Sequence, residues 1–325
     1  MLFILEICIL EGKRTKMRTV GGWVIVFCCF SFGAFGSQAG KAETLKKKIT
    51  EHVARLLRTQ PLPHSTWFAV QDLDVEEQVK GPVFHGKGTF RYSWSRITPS
   101  FDTLLVFTHQ QSIAYQRTDV WESAQIKIAS SLAQSVVRYA RQWWTQNGGG
   151  SPALIDSVQI QWLPDLALED SDTLYYPLRK LTWSDFRGVP RMMSRYGAEI
   201  FSNMGFDLEM EVNRHLLTIK LQGKCYMIRG ISWVRPGNTH PYTLAHEQLH
   251  FDITQRSLLY WKRLVQELPR YWHPDDWSTA IQQAYLTAFR QMNRWQTSYD
   301  QETIHGQNEQ KQVEWQSQFG LEHPY

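Results

Sequence analysis

Two histidines four positions apart, His246 and His250, are the residues of this sequence best suited to bind a metal ion. They enclose Glu247 in the sequence His-Glu-Gln-Leu-His. On a helix, side chains four residues apart lie on one face, so both imidazole rings can reach a single ion. Glu247 lies about a quarter-turn away, where it can act as a general base on a water molecule that the ion has acidified. A random shuffle of this composition produces the pattern about 0.02 times per chain, so the spacing predicts a zinc (Zn²⁺) site.

A catalytic zinc ion needs a third protein ligand and one position for water. Several residues that could act as a ligand or orient one lie close together downstream, namely Tyr299, Asp300, Glu302 and His305. Spacing alone does not choose among Asp300, Glu302 and His305. As the catalytic residue that stabilises negative charge on the substrate we rank Tyr299 first, because its neighbours are candidate ligands. Further candidates for that role are Tyr242, His240 and Arg235.

The pattern around these residues predicts a small antiparallel sheet followed by helices, an α+β arrangement. Alternating apolar residues predict three successive strands at 206–212, 215–221 and 226–234, with turns at 213–214 and 222–224. Pro241 suits the first position of a helix, which we expect to continue to about residue 268. A second helix is expected from about 275 to about 299. The strand that ends at Val234 would then offer its edge to an extended peptide substrate.

Four motifs occur in order in this half of the chain. They are Leu-Thr-Trp-Ser-Asp-Phe-Arg-Gly at 181–188, Ile-Ser-Trp-Val-Arg-Pro at 231–236, Leu-Ala-His-Glu-Gln-Leu-His-Phe-Asp-Ile at 244–253 and Tyr-Asp-x-Glu-Thr-x-His-Gly at 299–306. Together they resemble a bacterial family of predicted secreted zinc-dependent proteases, the domain of unknown function numbered nine-two-two. The resemblance covers about residues 180–318 and implies a zincin-like fold and peptidase activity. The residues that characterise its last motif correspond to Asp300, Thr303, His305 and Gly306. This favours His305 as the third zinc ligand, with Asp300 as second choice and Glu302 after it.

The first 39 residues have the pattern of a secretory signal peptide. Basic residues at 13–18 precede an uncharged apolar run at 20–36, and Ser37-Gln38-Ala39 suits a cleavage site. Three of the four cysteines lie in this segment, so cleavage would leave only Cys225 and no internal disulfide. We therefore expect a secreted or periplasmic protein that starts at Met1 or Met17. The alternative is that the apolar run is retained as a membrane anchor.

Residues 40–150 are expected to form an α+β region whose role the sequence leaves open. An amphipathic helix is predicted at 41–58, with Leu45, Ile49, Val53 and Leu56 on one face. Short strand-like runs follow at 65–118, and a second helix is predicted at 120–145. The run Asn-Gly-Gly-Gly-Ser-Pro at 147–152 breaks that helix and predicts a domain boundary, with the metal site in 151–325.

These features favour an extracytoplasmic zinc metallopeptidase that acts on a protein or peptide substrate. The 35 Lys and Arg against 31 Asp and Glu leave a net charge of +4, spread along the chain, so nucleic acid is not an expected partner. The alternative is a zinc-stabilised, non-catalytic binding module of the cell envelope, in which a fourth protein ligand closes the metal site. A membrane is an expected partner only if the N-terminal segment is retained, and the sequence leaves the oligomeric state open.

Overall fold

A computed structural model describes residues 38–320 and shows a mixed α+β protein. The chain divides into two compact units between Gln142 and Trp143, before the glycine run at which we predicted a boundary. No helix within the described residues is long and apolar enough to cross a membrane. All but the last two residues of the predicted signal segment lie outside the described part of the chain, so the signal peptide stays a prediction.

The first unit contains a three-stranded antiparallel sheet with long strands. Its elements are α1 (Gln38–Thr59), β1 (Thr66–Lys80), β2 (Val83–Ile97), β3 (Thr103–Arg117) and most of α2 (Trp121–Asn147), with the strands in the order β1-β2-β3. The predicted face of α1 is confirmed for Leu45, Ile49 and Val53, which are fully buried, but the face continues through Leu57 and not through the predicted Leu56, which is half-buried. We predicted shorter strands here. The polar stretch that ends at Lys80 still pairs with β2 residue for residue, so β1 continues to the turn at Gly81.

The second unit is built on a four-stranded sheet whose long strand, β8, pairs with the three others. Its elements are β4 (Ser157–Leu163), β5 (Thr173–Tyr175), β6 (Ala198–Glu199), β7 (Ser202–Asn213), β8 (Leu216–Ile228), β9 (Trp233–Val234), α3 (Pro241–Gln266), α4 (Pro274–Thr303) and α5 (Glu309–Phe319). Strands β7 and β5 pair antiparallel with β8, whereas β4 pairs parallel with its first half. Strands β6 and β9 form a separate antiparallel pair.

The predicted meander of three strands is wrong at its second turn, because residues 222–224 lie inside β8. Alternate residues of β8 are buried along its whole length, which is the period of a strand with one covered face. Gly223 is needed for close packing rather than for a turn, since a Cβ atom there would lie 3.0 Å from Leu258 of α3. The predicted strand 226–234 is not continuous, because β8 ends at Ile228 and Val234 belongs to the two-residue strand β9, which is too short to pair with an extended peptide over several residues.

Helix α3 is buried on almost every side, which fixes the direction of its two histidines. Phe251 and Leu258 pack with the sheet in the main core of this unit. Leu249 and Ile253 instead pack with Tyr299 and with a tryptophan of α5. Pro241 occupies the first turn of α3 as predicted, and both α3 and α4 end within four residues of the predicted positions. A helix covered by a sheet on one side and by helices on another is a rigid support for a binding site.

Candidate metal centre

His246, His250 and Asp300 bring three potential metal-ligand atoms together. The Nε2 atoms of the two histidines lie 3.3 Å apart, and Asp300 Oδ1 lies 3.4 Å from Nε2 of His246 and 3.0 Å from Nε2 of His250. In a tetrahedral site with bonds of about 2.0–2.1 Å, neighbouring ligand atoms are about 3.3 Å apart. The three atoms therefore have the spacing of one face of a tetrahedron, and together they could hold a metal ion.

Asp300 reaches the histidines because α4 packs against α3 and presents one face to them. Gln296, Tyr299, Asp300 and Thr303 are spaced as i, i+3, i+4 and i+7, which places them on a single side of α4. Gln296, Tyr299 and Asp300 each contact a histidine of α3. Helix periodicity therefore builds both halves of the site, with two ligands on one helix and the third on its neighbour.

The ring of His250 is oriented by Gln296. The amide nitrogen of Gln296 donates to the His250 carbonyl oxygen at 2.9 Å and to Thr254 Oγ1 at 3.1 Å, which fixes the amide. Its oxygen Oε1 then faces Nδ1 of His250 and can only accept a hydrogen bond. Nδ1 therefore carries the proton when a metal ion is bound, and Nε2 is free to bind that ion.

The ring of His246 is held from two sides by buried groups. Gln312 of α5 is 1% exposed, and its Oε1 lies 3.2 Å from Nδ1 of His246. The hydroxyl of Tyr299 lies 2.8 Å from the same Nδ1, and the tyrosine ring stacks on the imidazole at a centroid distance of 4.7 Å. The same tautomer follows for His246, with Nδ1 protonated and Nε2 directed at Asp300.

Glu247 lies inside the protein next to the three ligand residues. It is 4% exposed, and its Oε2 accepts a hydrogen bond of 2.9 Å from the backbone N–H of Ile200, just before β7. Burial raises the pKa of Glu247, and the charges of His250 and His246 partly offset that rise. A buried carboxylate held at one oxygen can act as a proton acceptor at the other.

His250 and Asp300 each stabilise the charged form of the other. Burial on its own lowers the pKa of His250, but the hydrogen bond and the charge of Asp300 raise that pKa to about 9. Burial raises the pKa of Asp300, yet its contacts with His246 and His250 hold that pKa well below its usual range. In the absence of an ion, His250 and Asp300 form a charged pair, so a metal ion must displace a proton to bind.

Three predicted site residues lie elsewhere than we expected. The structure places Asp300, and not His305, with the two histidines: Nδ1 of His305 is 3.6 Å from Asp300 Oδ1, and His305 is not part of the ligand group. Glu302 accepts a hydrogen bond of 3.0 Å from Trp315 Nε1 instead of facing the site. Tyr299 is fully buried with its hydroxyl on His246, so it supports a ligand and has no route to a substrate.

The Thr-x-His-Gly pattern after Asp300 has a structural reason. Ile304, His305 and Gly306 all have positive φ values, so the chain turns back sharply at the end of α4. Thr303 is fully buried, and its Oγ1 accepts from the N–H of Gly306 at 3.3 Å. A Cβ atom on Gly306 would lie 3.3 Å from the His246 ring, so the glycine lets this turn pack on a ligand.

Sequence reasoning missed Gln296, Gln312 and Tyr196, which all contact site residues. Gln296 carried a usable signal, because it lies four residues before Asp300 on the same helix face. Gln312 and Tyr196 could not be recognised from the sequence, since only the packing of α5 and of a loop brings them to the site.

No protein-family model, no curated protein and no solved structure matches this chain.

Proposed function

We propose that the second unit is a zinc-dependent peptidase in which His246, His250 and Asp300 bind the ion and Glu247 is the general base. The observation that carries this proposal is the triangle of three ligand atoms, with sides of 3.0, 3.3 and 3.4 Å, next to a buried glutamate. Two imidazoles and one carboxylate form a ligand set that zinc accepts at these distances.

The ligand set favours a catalytic metal over a structural one. Among the described residues, no fourth His, Cys, Asp or Glu belongs to the group around Asp300. Cys225, the free cysteine of the described chain, is buried with its Sγ 4.0 Å from the carbonyl oxygen of Phe251. A structural zinc site is closed by four protein ligands, whereas a catalytic site has three and keeps one position for water.

Each residue of the site then has a defined role in hydrolysis. A zinc ion held here would acidify a water molecule and polarise the substrate's carbonyl group. Glu247 would accept the proton of that water and pass it to the leaving amine. The N–H of Ile200 holds one oxygen of Glu247, so the other is the one that handles the proton. Gln296 and Gln312 keep the two rings in the tautomer that binds metal.

We extend the proposal to a zincin-like fold and to a protein or peptide substrate outside the cytoplasm. The order of elements supports the fold, because a sheet is followed by the histidine helix and then by a helix that supplies the third ligand. The signal-like sequence at 1–39 supports the location. These two extensions also rest on the resemblance of the four motifs.

The test is Glu247→Gln in the full chain, loaded with zinc and measured against a pool of quenched fluorescent peptides. We expect one zinc per chain in both proteins and loss of at least 100-fold in hydrolysis in the variant. Glu211→Gln is the matched control, since Glu211 is exposed on β7. Undiminished cleavage by Glu247→Gln would disprove the mechanism. A zinc-loaded wild type that cleaves no peptide would favour the binding-module alternative.

A further inference from the structure

His305 stands at the rim of the metal centre with both ring nitrogens facing polar groups. Its Nδ1 lies 3.6 Å from Asp300 Oδ1, the oxygen that faces both ligand histidines. Its Nε2 lies 3.3 Å from the hydroxyl of Tyr196, and the two rings are 4.4 Å apart. His305 is exposed and Tyr196 is half-buried, so a substrate that binds at the metal centre can reach this pair.

The backbone is strained at Ile304 and His305, the two residues that place the His305 side chain at the rim. Ile304 and His305 have φ values of 53° and 54°, a conformation that is costly for side chains with a Cβ atom and especially for a β-branched one. The Ile304 side chain is 55% exposed, so the strain does not serve to bury it. Strained residues of this kind persist where the surrounding structure holds them, and they concentrate at functional sites.

Tyr196 is placed by Arg235, one of the residues that the sequence offers for stabilising negative charge on the substrate. The guanidinium of Arg235 donates to the carbonyl oxygens of Tyr196 and Arg191, each at 2.9 Å, and to that of Ser194. These three hydrogen bonds fold the loop 191–196 around one side chain. Arg235 therefore binds the loop, and it can affect the site by holding Tyr196 in place.

We propose that Tyr196 and His305 form the pair that stabilises negative charge on the substrate's carbonyl oxygen, and that Arg235 is a positioning residue for Tyr196. The proposal rests on the proposed peptidase function. A tyrosine hydroxyl and an imidazole are both hydrogen-bond donors suited to a developing oxyanion. His305 lies beside Asp300 and Tyr196 lies against His305, and neither side chain is buried, whereas Tyr299 is enclosed.

The test uses the zinc-loaded full chain, with Tyr196→Phe as the variant and the best-cleaved peptide of the pool as substrate. We expect one zinc per chain, a KM within threefold of wild type and a kcat lower by about 100-fold, the usual cost of one such donor. Tyr271→Phe is the matched control, because Tyr271 packs on Trp277 away from the site. A kcat within threefold of wild type, or loss of zinc from Tyr196→Phe, would overturn the proposal.

Arg235→Lys separates positioning from general stability. Lysine keeps the charge but cannot donate to three carbonyl groups in the same geometry. If Arg235 acts through Tyr196, kcat falls in Arg235→Lys, and the double variant with Tyr196→Phe is no slower than Tyr196→Phe alone. Additive losses in the double variant would contradict the positioning role.

A binding measurement keeps this proposal distinct from the peptidase proposal. Phenylphosphonate, a tetrahedral oxyanion, is titrated into zinc-loaded wild type and Tyr196→Phe by calorimetry. We expect at least tenfold weaker binding to the variant. If wild type cleaves no peptide, the peptidase proposal fails, and the phosphonate result still decides whether the pair faces a bound oxyanion. Equal affinities of wild type and Tyr196→Phe for phenylphosphonate would disprove the role of Tyr196 and His305 in stabilising an oxyanion.

Discussion

Replacing Gly306 with alanine tests whether the turn after α4 is built to support His246. Gly306 has a φ of 81°, and a Cβ atom there would lie 3.3 Å from Cγ and Nδ1 of the His246 ring. The ring cannot easily yield, because Tyr299 stacks on it and Gln312 holds its Nδ1. We therefore expect the ring to shift by a few tenths of an ångström and the zinc affinity to fall.

The effect of Gly306→Ala has two parts, the backbone strain and the contact with the His246 ring, and a second glycine separates them. Gly237 has a φ of 86° and nothing within 4 Å of its would-be Cβ atom, so Gly237→Ala carries the backbone strain alone. That strain costs about 1–2 kcal/mol in either variant. Disturbing the support of a metal ligand costs a further 10–100-fold in affinity, or about 1.4–2.7 kcal/mol, in Gly306→Ala only.

The assay is competition for zinc against a fluorescent chelator, together with thermal melting of the metal-free proteins. Both variants should lower the melting temperature by similar amounts, and only Gly306→Ala should release zinc more readily. The reasoning is refuted if Gly306→Ala binds zinc as tightly as wild type. It is refuted equally if Gly237→Ala loses the same affinity.

Three further predictions concern the ligands and the core of the same unit. Gln296→Met should weaken zinc binding 10–100-fold in the chelator assay, whereas Gln282→Met, on an exposed face of α4, should not. Zinc at 100 times its Kd should stabilise the protein by about 2.7 kcal/mol, and a chelator should reverse that gain in calorimetry. Asp185 is buried, and although burial raises its pKa, hydrogen bonds from Arg179 and Thr182 lower it to about 2. Its stabilisation, about 2 kcal/mol, is thus present above pH 4 and lost as the pH falls towards 2, so the unfolding free energies of wild type and Asp185→Asn should converge over that range.

Helix α3 of the second unit and helix α1 of the first could be predicted because their signals are local. The spacing of His246 and His250, the proline at 241 and the apolar periodicity of α1 each involve residues within about three helical turns. Helix geometry converts such spacing directly into a shared face. The same reasoning reached the segment that contains Asp300, because α4 is long enough to return along α3.

The choice of Asp300 over His305 could not be made from the sequence. It depends on the end of α4, where the helix continues through Thr303 and three positive φ values then turn the chain back. The prediction of a turn at 222–224 was wrong for a related reason. Glycine serves both turns and close packing, and only the position of Leu258 against Gly223 shows which applies.

The most direct test of the central claim is the metal content of the purified full chain, measured by mass spectrometry for wild type, Asp300→Ala and His305→Ala. If His246, His250 and Asp300 bind the ion, wild type and His305→Ala carry one zinc per chain and Asp300→Ala carries none. Zinc retained by Asp300→Ala, or lost from His305→Ala alone, would contradict the assignment.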